Sequence, residues 1–293
     1  MLHRFPLRTH RDDTATAARN KGGVKLALCV PSRTELPEAF HEMLAKHLGD
    51  IAYDPIVVVG KPVVEARNAL AQRARASGAE LTLWLDDDAY PEPGSIERLL
   101  AMLHARGDID MLAAFACDRR PFCSPNAFAL HDERYVALVE RDTPAPFSIP
   151  TWAPRYRIGE VVPVDACAFH CVLMRTALLA RLGDEPFALP ESAQHGEDFQ
   201  FCRRARAVGA SIAVETGAPV AHLEPESGLA FLPYKPPGRI VDRRFAAVPE
   251  TRSVAEIAAI WRHRDIRVGR SYGAAVDAIF HAAREREGAP NRR

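Results

Sequence analysis

The apolar run Leu81-Thr82-Leu83-Trp84-Leu85 stops at three consecutive aspartates, Asp86, Asp87 and Asp88. A run of this length is a strand buried on both faces. Its carboxylates cannot follow it inward, because an ionised acid is too costly to bury without compensation. The triplet therefore marks the strand's C-terminal end, where open α/β sheets form their ligand sites. Adjacent carboxylates repel and raise one another's pKa. A hard divalent cation relieves both costs and keeps open positions for substrate phosphates. On an extended segment, side chains two apart point the same way. Asp86 and Asp88 are thus expected to share one ligand, with Asp87 facing elsewhere. The plain alternative is a solvated acidic turn ahead of Pro91 and Pro93.

Strand and helix patterns alternate around this run. Val24 to Val30 and Ile56 to Val59 read as strands, as does Met111 to Cys117. Helical stripes occupy Leu36 to Leu48, Val63 to Ala76 and the stretch after Ser95, which reads as an N-cap. This alternation predicts a parallel sheet with covering helices. The middle of the chain is proline-rich, with short strand candidates at Ala127–Leu130 and Tyr135–Val139 and one or two strands in Val161–Met174. Short helices are expected at Arg175–Leu182 and Gly196–Val208, and edge strands at Ile212–Val214 and Val220–His222. Residues 1–22 read as a disordered tail, and 225–293 as a proline-rich loop with helices at Ser253–Arg262 and Tyr272–Glu287.

The first strand ends in Val30-Pro31-Ser32-Arg33, which has no glycine, so neither a dinucleotide fingerprint nor a P-loop is present there. No GxSxG elbow accompanies any strand. Lys+Arg and Asp+Glu both number 38, giving no net charge and no reason to expect a nucleic-acid partner. The distribution is uneven, with 13 basic against 7 acidic residues from Lys235 onward. Such a tail can rest on an anionic partner or a membrane surface, or be simply solvated. Met1 to Asn20 lacks a secretory apolar core, and no stretch reaches the length of a membrane span. A cytoplasmic location is the expectation, with the cysteines reduced. Cys167 and Cys171, with His170 between them, lack the paired spacing of a zinc site.

Other residues carry chemistry downstream. His195-Gly196-Glu197-Asp198-Phe199 places two acids in the first turn of a helix. They read either as partners of the helix dipole or as a carboxylate able to accept a hydroxyl proton. Arg67-Asn68 opens the second helix, where the guanidinium can bridge nucleotide phosphates or the acidic triplet. His222 ends a strand candidate and is either a structural histidine or a ligand for a borderline cation such as manganese. Asp118-Arg119-Arg120 follows the fourth strand, from where it could reach a donor.

Together, EARNAL, LWLDDDAYPEPGSIERLL and GEDFQFCRRARAVGASIAVETGAPVAHL resemble the GT-A glycosyltransferases, in particular the family-2-like bacterial and phage enzymes. The resemblance covers about residues 24–224. It implies a GT-A mixed α/β sheet with covering helices over residues 23–224, carrying a C-terminal helical appendage. It implies an enzyme of hexosyltransferase type that moves a sugar from a nucleotide-diphosphate donor, a UDP-sugar, to a glycan or other hydroxyl acceptor. Asp86 and Asp88 match a DxD motif holding Mn2+ or Mg2+, and His222 matches the C-terminal metal-ligand position. Asp198 matches the base of inverting members, with Glu197 supporting it. Pro31, Ser32, Arg67, Asn68, Asp86 and Asp87 fall on the donor side. Two other readings stand beside this one: a sugar nucleotidyltransferase, and a non-catalytic nucleotide-sugar or glycan-binding module. The stretch Ala166-Cys167-Ala168-Phe169-His170-Cys171 departs from the glycine-rich acceptor strands of such sequences, and no acid ends Val57-Val58-Val59 to read a base.

Overall fold

The computed structural model describes residues 25–48, 51–118, 125–141, 152–193 and 195–224, with short pieces at 229–231, 233, 241–242 and 250–251. The chain runs β1 (Leu26–Ser32), α1 (Glu38–Leu48), β2 (Tyr53–Val59), α2 (Val63–Ala76), β3 (Leu81–Leu85), β4 (Ala89–Pro91), α3 (Ser95–Ala105) and β5 (Met111–Phe115). Short strands follow: β6 (Ala127–His131), β7 (Arg134–Ala137), β8 (Val139–Glu140), β9 (Arg155–Tyr156), β10 (Val161–Pro163), β11 (Ala166–Cys167) and β12 (Cys171–Arg175). The order ends with α4 (Thr176–Leu182), α5 (Glu197–Ala207), β13 (Ile212–Glu224), β14 (Leu229–Phe231), β15 (Val241–Asp242) and β16 (Glu250–Thr251).

The main sheet has the order β16-β15-β14-β13-β5-β12-β3-β1-β2. Strands β2, β1 and β3 are mutually parallel, as the alternation predicts, and β13 is parallel to β5. The expected all-parallel neighbourhood ends there. β12 enters antiparallel between β3 and β5, so the sheet is mixed. Local alternation sets each strand's direction but not its neighbours. The insertion is a long-range choice.

Period-two alternation sorts each strand's side chains onto two cores. Leu26, Leu28, Val30, Leu83, Leu85, Leu112 and Leu173 face α1 and α3, against Phe40, Leu44, Leu48, Ile96, Leu99 and Leu103. Ala27, Cys29, Trp84, Met111, Phe115, Val172 and Met174 face α2, α4 and α5, against Leu70, Ala74, Leu178 and Phe201. Trp84, Phe169, Phe187 and Phe201 form an aromatic nest in this second layer, with Phe187 and Phe201 stacked at 4.6 Å. Helix-on-both-faces burial is what lets the central strands be apolar throughout. Cys29, Cys117, Cys167, Cys171 and Cys202 are buried free thiols within this packing, as expected.

Three local expectations are corrected. Ser95 is not an N-cap: Gly94, with φ 84°, takes that position, and Ser95 Oγ donates to the carbonyl of Pro219 at 2.8 Å. Only a residue without a side-chain penalty at positive φ turns the chain into α3 this way. Asp86 to Asp88 are not extended. A turn forms, with Ala89 N donating to Asp86 O at 3.1 Å. Lastly, Ile212–Val214 and Val220–His222 are not edge strands but two halves of β13, interior to the sheet. Gly217 and Pro219 look like strand breakers, yet they occupy an irregularity between Glu215 and Pro219 that bends one strand without ending it. The expected tail at 1–22, both C-terminal helices, Cys123, Arg119 and Arg120 lie outside the described residues.

The bend holds Glu215 fully buried, paired with Arg98 at 2.9 Å and accepting from Gly217 N at 2.8 Å. A Cβ on Gly217 would lie 2.7 Å from Arg98 Nε and 2.9 Å from Glu215 Oε1. Gly217→Ala is therefore expected to part this pair and cost on the order of 1–3 kcal/mol in urea unfolding, the cost of a buried acceptor losing its partner. Unchanged stability would mean the arginine moves aside freely.

Candidate active site

The C-terminal ends of β1 and β3 and the N-terminal ends of α2 and α5 meet at one edge of the sheet, and the singled-out acids gather there. Pairing explains the convergence. The β12–β3 ladder continues one step past Cys171 and Leu85, so that Asp86 N donates to His170 O at 3.1 Å. On the other side, β4 pairs with β13 with His222 opposite Ala89, and Leu223 N donates to Asp88 O at 2.7 Å. The turn between β3 and β4 is thus pinned from both sides, and its acids point to different partners.

Asp88 faces His222, with Oδ2 and Nε2 3.5 Å apart. His222 Nδ1 lies 3.1 Å from the carbonyl of Cys117. A carbonyl only accepts, so Nδ1 carries a proton, and Nε2 is the ring atom that faces the carboxylate. That arrangement calls for a cation between them or a proton on Nε2. His170 completes the corner, its ring centroid 4.1 Å from that of His222. Ligand atoms of Asp88, His170 and His222 all lie within 4.8 Å of one another. His170 Nδ1 is buried without a hydrogen bond, 3.4 Å from Asp86 Oδ2, and its Nε2 is 2.5 Å from the Asn126 amide. A carboxylate beside two imidazoles fits a divalent transition ion, which accepts that mixed donor set. Burial pushes the Asp88 carboxyl up, but His222 and His170 outweigh it and hold the acid below the ordinary aspartate range.

Asp86 sits between Arg67 and His170. Its Oδ1 accepts from Arg67 Nη2 at 2.8 Å. Burial opposes ionisation there, but Arg67 and His170 hold the carboxyl down at about 2. Because the triplet is a turn, Asp86 and Asp88 face different partners rather than the one shared ligand expected of an extended segment, and Asp87 points to the end of β1, where Ser32 Oγ donates to its Oδ2 at 2.6 Å. Pro31 precedes it on the same strand, opposite Val58 of β2.

Arg67, in the first turns of α2, also reaches α5: its Nη1 donates to Glu197 Oε1 at 2.5 Å. Asp198 lies beside this pair and is partly buried. Its Oδ1 accepts from Phe199 N at 2.8 Å, and a Cβ on Gly196 would come within 2.9 Å of that oxygen, so the glycine leaves room for the carboxylate. Burial, then the charge of Glu197, raises the Asp198 carboxyl above the ordinary aspartate value despite the pull of Arg67.

Asp86, Asp87, Asp88, Glu197, Asp198, Arg67, Ser32 and His222 are therefore brought to one edge. Asn68 is not. Its Oδ1 accepts from Phe187 N at 2.9 Å, tying down the loop before α5. The residue that reading the sequence did not assign to the site is His170. Its only signal was register: knowing that β12 pairs antiparallel with β3 would have set it opposite the first aspartate. A cavity of about 980 Å3 opens at the other end of the sheet, against Leu26 and Leu81 at the starts of β1 and β3, away from the acids. No helix among the described residues is long and apolar enough to cross a membrane.

No family model and no curated protein matches the chain. Solved structures do. A197 from STIV aligns at 13% identity with a TM-score of 0.49, over 72% of this chain and 91% of that one. GalNAc-T7, solved with UDP, GalNAc and Mn2+, aligns at 12% identity and a TM-score of 0.42, over 70% of this chain and 45% of that one. S. aureus TarS 1-349 aligns at 16% identity and a TM-score of 0.41, over 66% of this chain and 58% of that one. A likeness of this degree does not extend to activity.

Proposed function

We propose that the chain is a metal-dependent glycosyltransferase, moving a sugar from a nucleotide-diphosphate donor to an acceptor hydroxyl. One observation carries this reading: a mixed carboxylate–imidazole corner of Asp88, His170 and His222 stands at the mouth of the sheet, with the raised carboxyl of Asp198 across an ion bridge from it. Asp88, His222 and His170 would hold Mn2+ or Mg2+, with Asp86 adjoining. When bound, such an ion neutralises the charge that develops on a diphosphate leaving group.

The chain's own residues supply the remainder. Ser32 and Asp87 close the end of β1 where a donor's nucleoside side would lie, with Pro31 keeping that turn free of a backbone donor. Asp198 accepts the acceptor hydroxyl's proton as its oxygen attacks, giving inversion at the anomeric carbon. A base must be ionised to act, so the raised carboxyl sets the low-pH limit. The acid limb of kcat/KM is expected above the ordinary aspartate value of about 3.9, with rate falling as pH drops through it. A limb at or below that value would move the base elsewhere.

The reading as a whole is tested by a thermal-shift screen of nucleotide sugars with and without Mn2+. A ligand that binds the folded state raises the melting point with its affinity. One nucleotide sugar should raise it in the presence of Mn2+ and little without it, and the same compound should then label a hydroxyl acceptor. Release of pyrophosphate from a nucleoside triphosphate and a sugar phosphate would instead make the enzyme a nucleotidyltransferase.

A further inference from the structure

Arg67 has little left with which to hold a donor. Its side chain is 5% exposed. Nη2 is taken by Asp86 at 2.8 Å and Nη1 by Glu197 at 2.5 Å. The guanidinium carbon lies 5.2 Å from the Phe169 ring and 5.9 Å from the Phe187 ring, so aromatic faces close it from the side. Nε is buried without a hydrogen bond. A diphosphate arriving here would have to displace a carboxylate from a dry pocket, and removing one partner of a buried ion pair is strongly unfavourable. What the guanidinium does hold is a strand-end acid next to the metal corner and a helix-start acid next to Asp198. Those two carboxylates come from elements with no ladder between them. Only the planar fork of arginine spans both, since a lysine is a point charge.

We propose that Arg67 is a positioning residue, a clamp that fixes the β3 turn and the start of α5 as one unit and so sets the distance between the metal corner and Asp198. The clamp itself is independent of the transferase reading, which supplies only what is being positioned.

Two measurements on the full chain test it. The first is urea unfolding of Asp86→Asn, Glu197→Gln and the double variant, without metal. Losing one carboxylate leaves the cation the other, whereas losing both strands a buried charge. The double variant's midpoint should therefore fall by more than the sum of the two single shifts, and adding Arg67→Met should recover part of that fall. Additive shifts would overturn the clamp whatever the enzyme catalyses. The second is steady-state transfer by Arg67→Met and Arg67→Lys. A displaced base costs rate, so kcat should fall about a hundredfold in both, with the donor KM within about threefold of the parent. In the Arg67→Met background, Glu197→Gln should then cost less in kcat than it does in the parent. A donor KM raised tenfold or more with kcat preserved would make Arg67 a donor contact and overturn the proposal. Absence of transfer with every donor, alongside non-additive unfolding, would sink the transferase reading and leave the clamp standing.

Discussion

Asp88→Asn should abolish Mn2+-dependent turnover of a nucleotide sugar and leave the fold intact. The substitution keeps the shape of the side chain and the backbone carbonyl that accepts from Leu223 N at 2.7 Å, so the β3–β4 turn stays pinned. It removes the carboxylate that, among the described residues, shares the corner with both His170 and His222. An amide is a poor ligand for a divalent ion between two imidazoles, and losing such a centre of charge stabilisation costs at least about a hundredfold in rate. Circular dichroism and a thermal midpoint within about 5 °C of the parent would establish that folding survives. Undiminished turnover in a folded variant would remove the metal assignment.

Asp198→Asn separates chemistry from binding. The carboxylate is held by the Phe199 N–H and sits in space kept open by Gly196, at a distance in the chain from the metal corner. The amide can still accept from that N–H, so donor affinity in calorimetry should be little changed. Proton acceptance is lost, and transfer should fall by about 10²–10⁴-fold, the usual contribution of a positioned base. Full transfer by this variant would place the base elsewhere, or indicate that the reaction retains configuration.

Sequence pattern reached some of this architecture and not the rest, for physical reasons. The buried strands were legible because a short apolar run such as Leu81–Leu85, interrupted by Thr82 alone, has few other ways to fold. The helices α2 and α4 fell close to their expected bounds, at Val63–Ala76 and Thr176–Leu182. The acids of the triplet and of Glu197-Asp198 were legible because their charge does not fit the apolar segments around them. Position across the sheet was not. That β12 runs antiparallel beside β3 follows from pairings remote in sequence, and with it goes the placement of His170. The same is true of β13, where Gly217 and Pro219 argued locally for a break that tertiary pairing overrides. Arg67 is intermediate. Its type and helix position allowed a bridge to the triplet, but nothing local announced Glu197 as the second arm.

The central claim is an electrostatic one, that Asp88, His170 and His222 are arranged around a doubly charged ion. Anomalous diffraction at the manganese edge from crystals soaked in MnCl2 and UDP tests it directly. One strong peak is expected within bonding distance of Asp88 and His222, with His170 turned onto it, and a UDP phosphate on the open side. A corner without a peak, its histidines hydrogen-bonded to Asp86 and Asp88 in the presence of millimolar manganese, would contradict it.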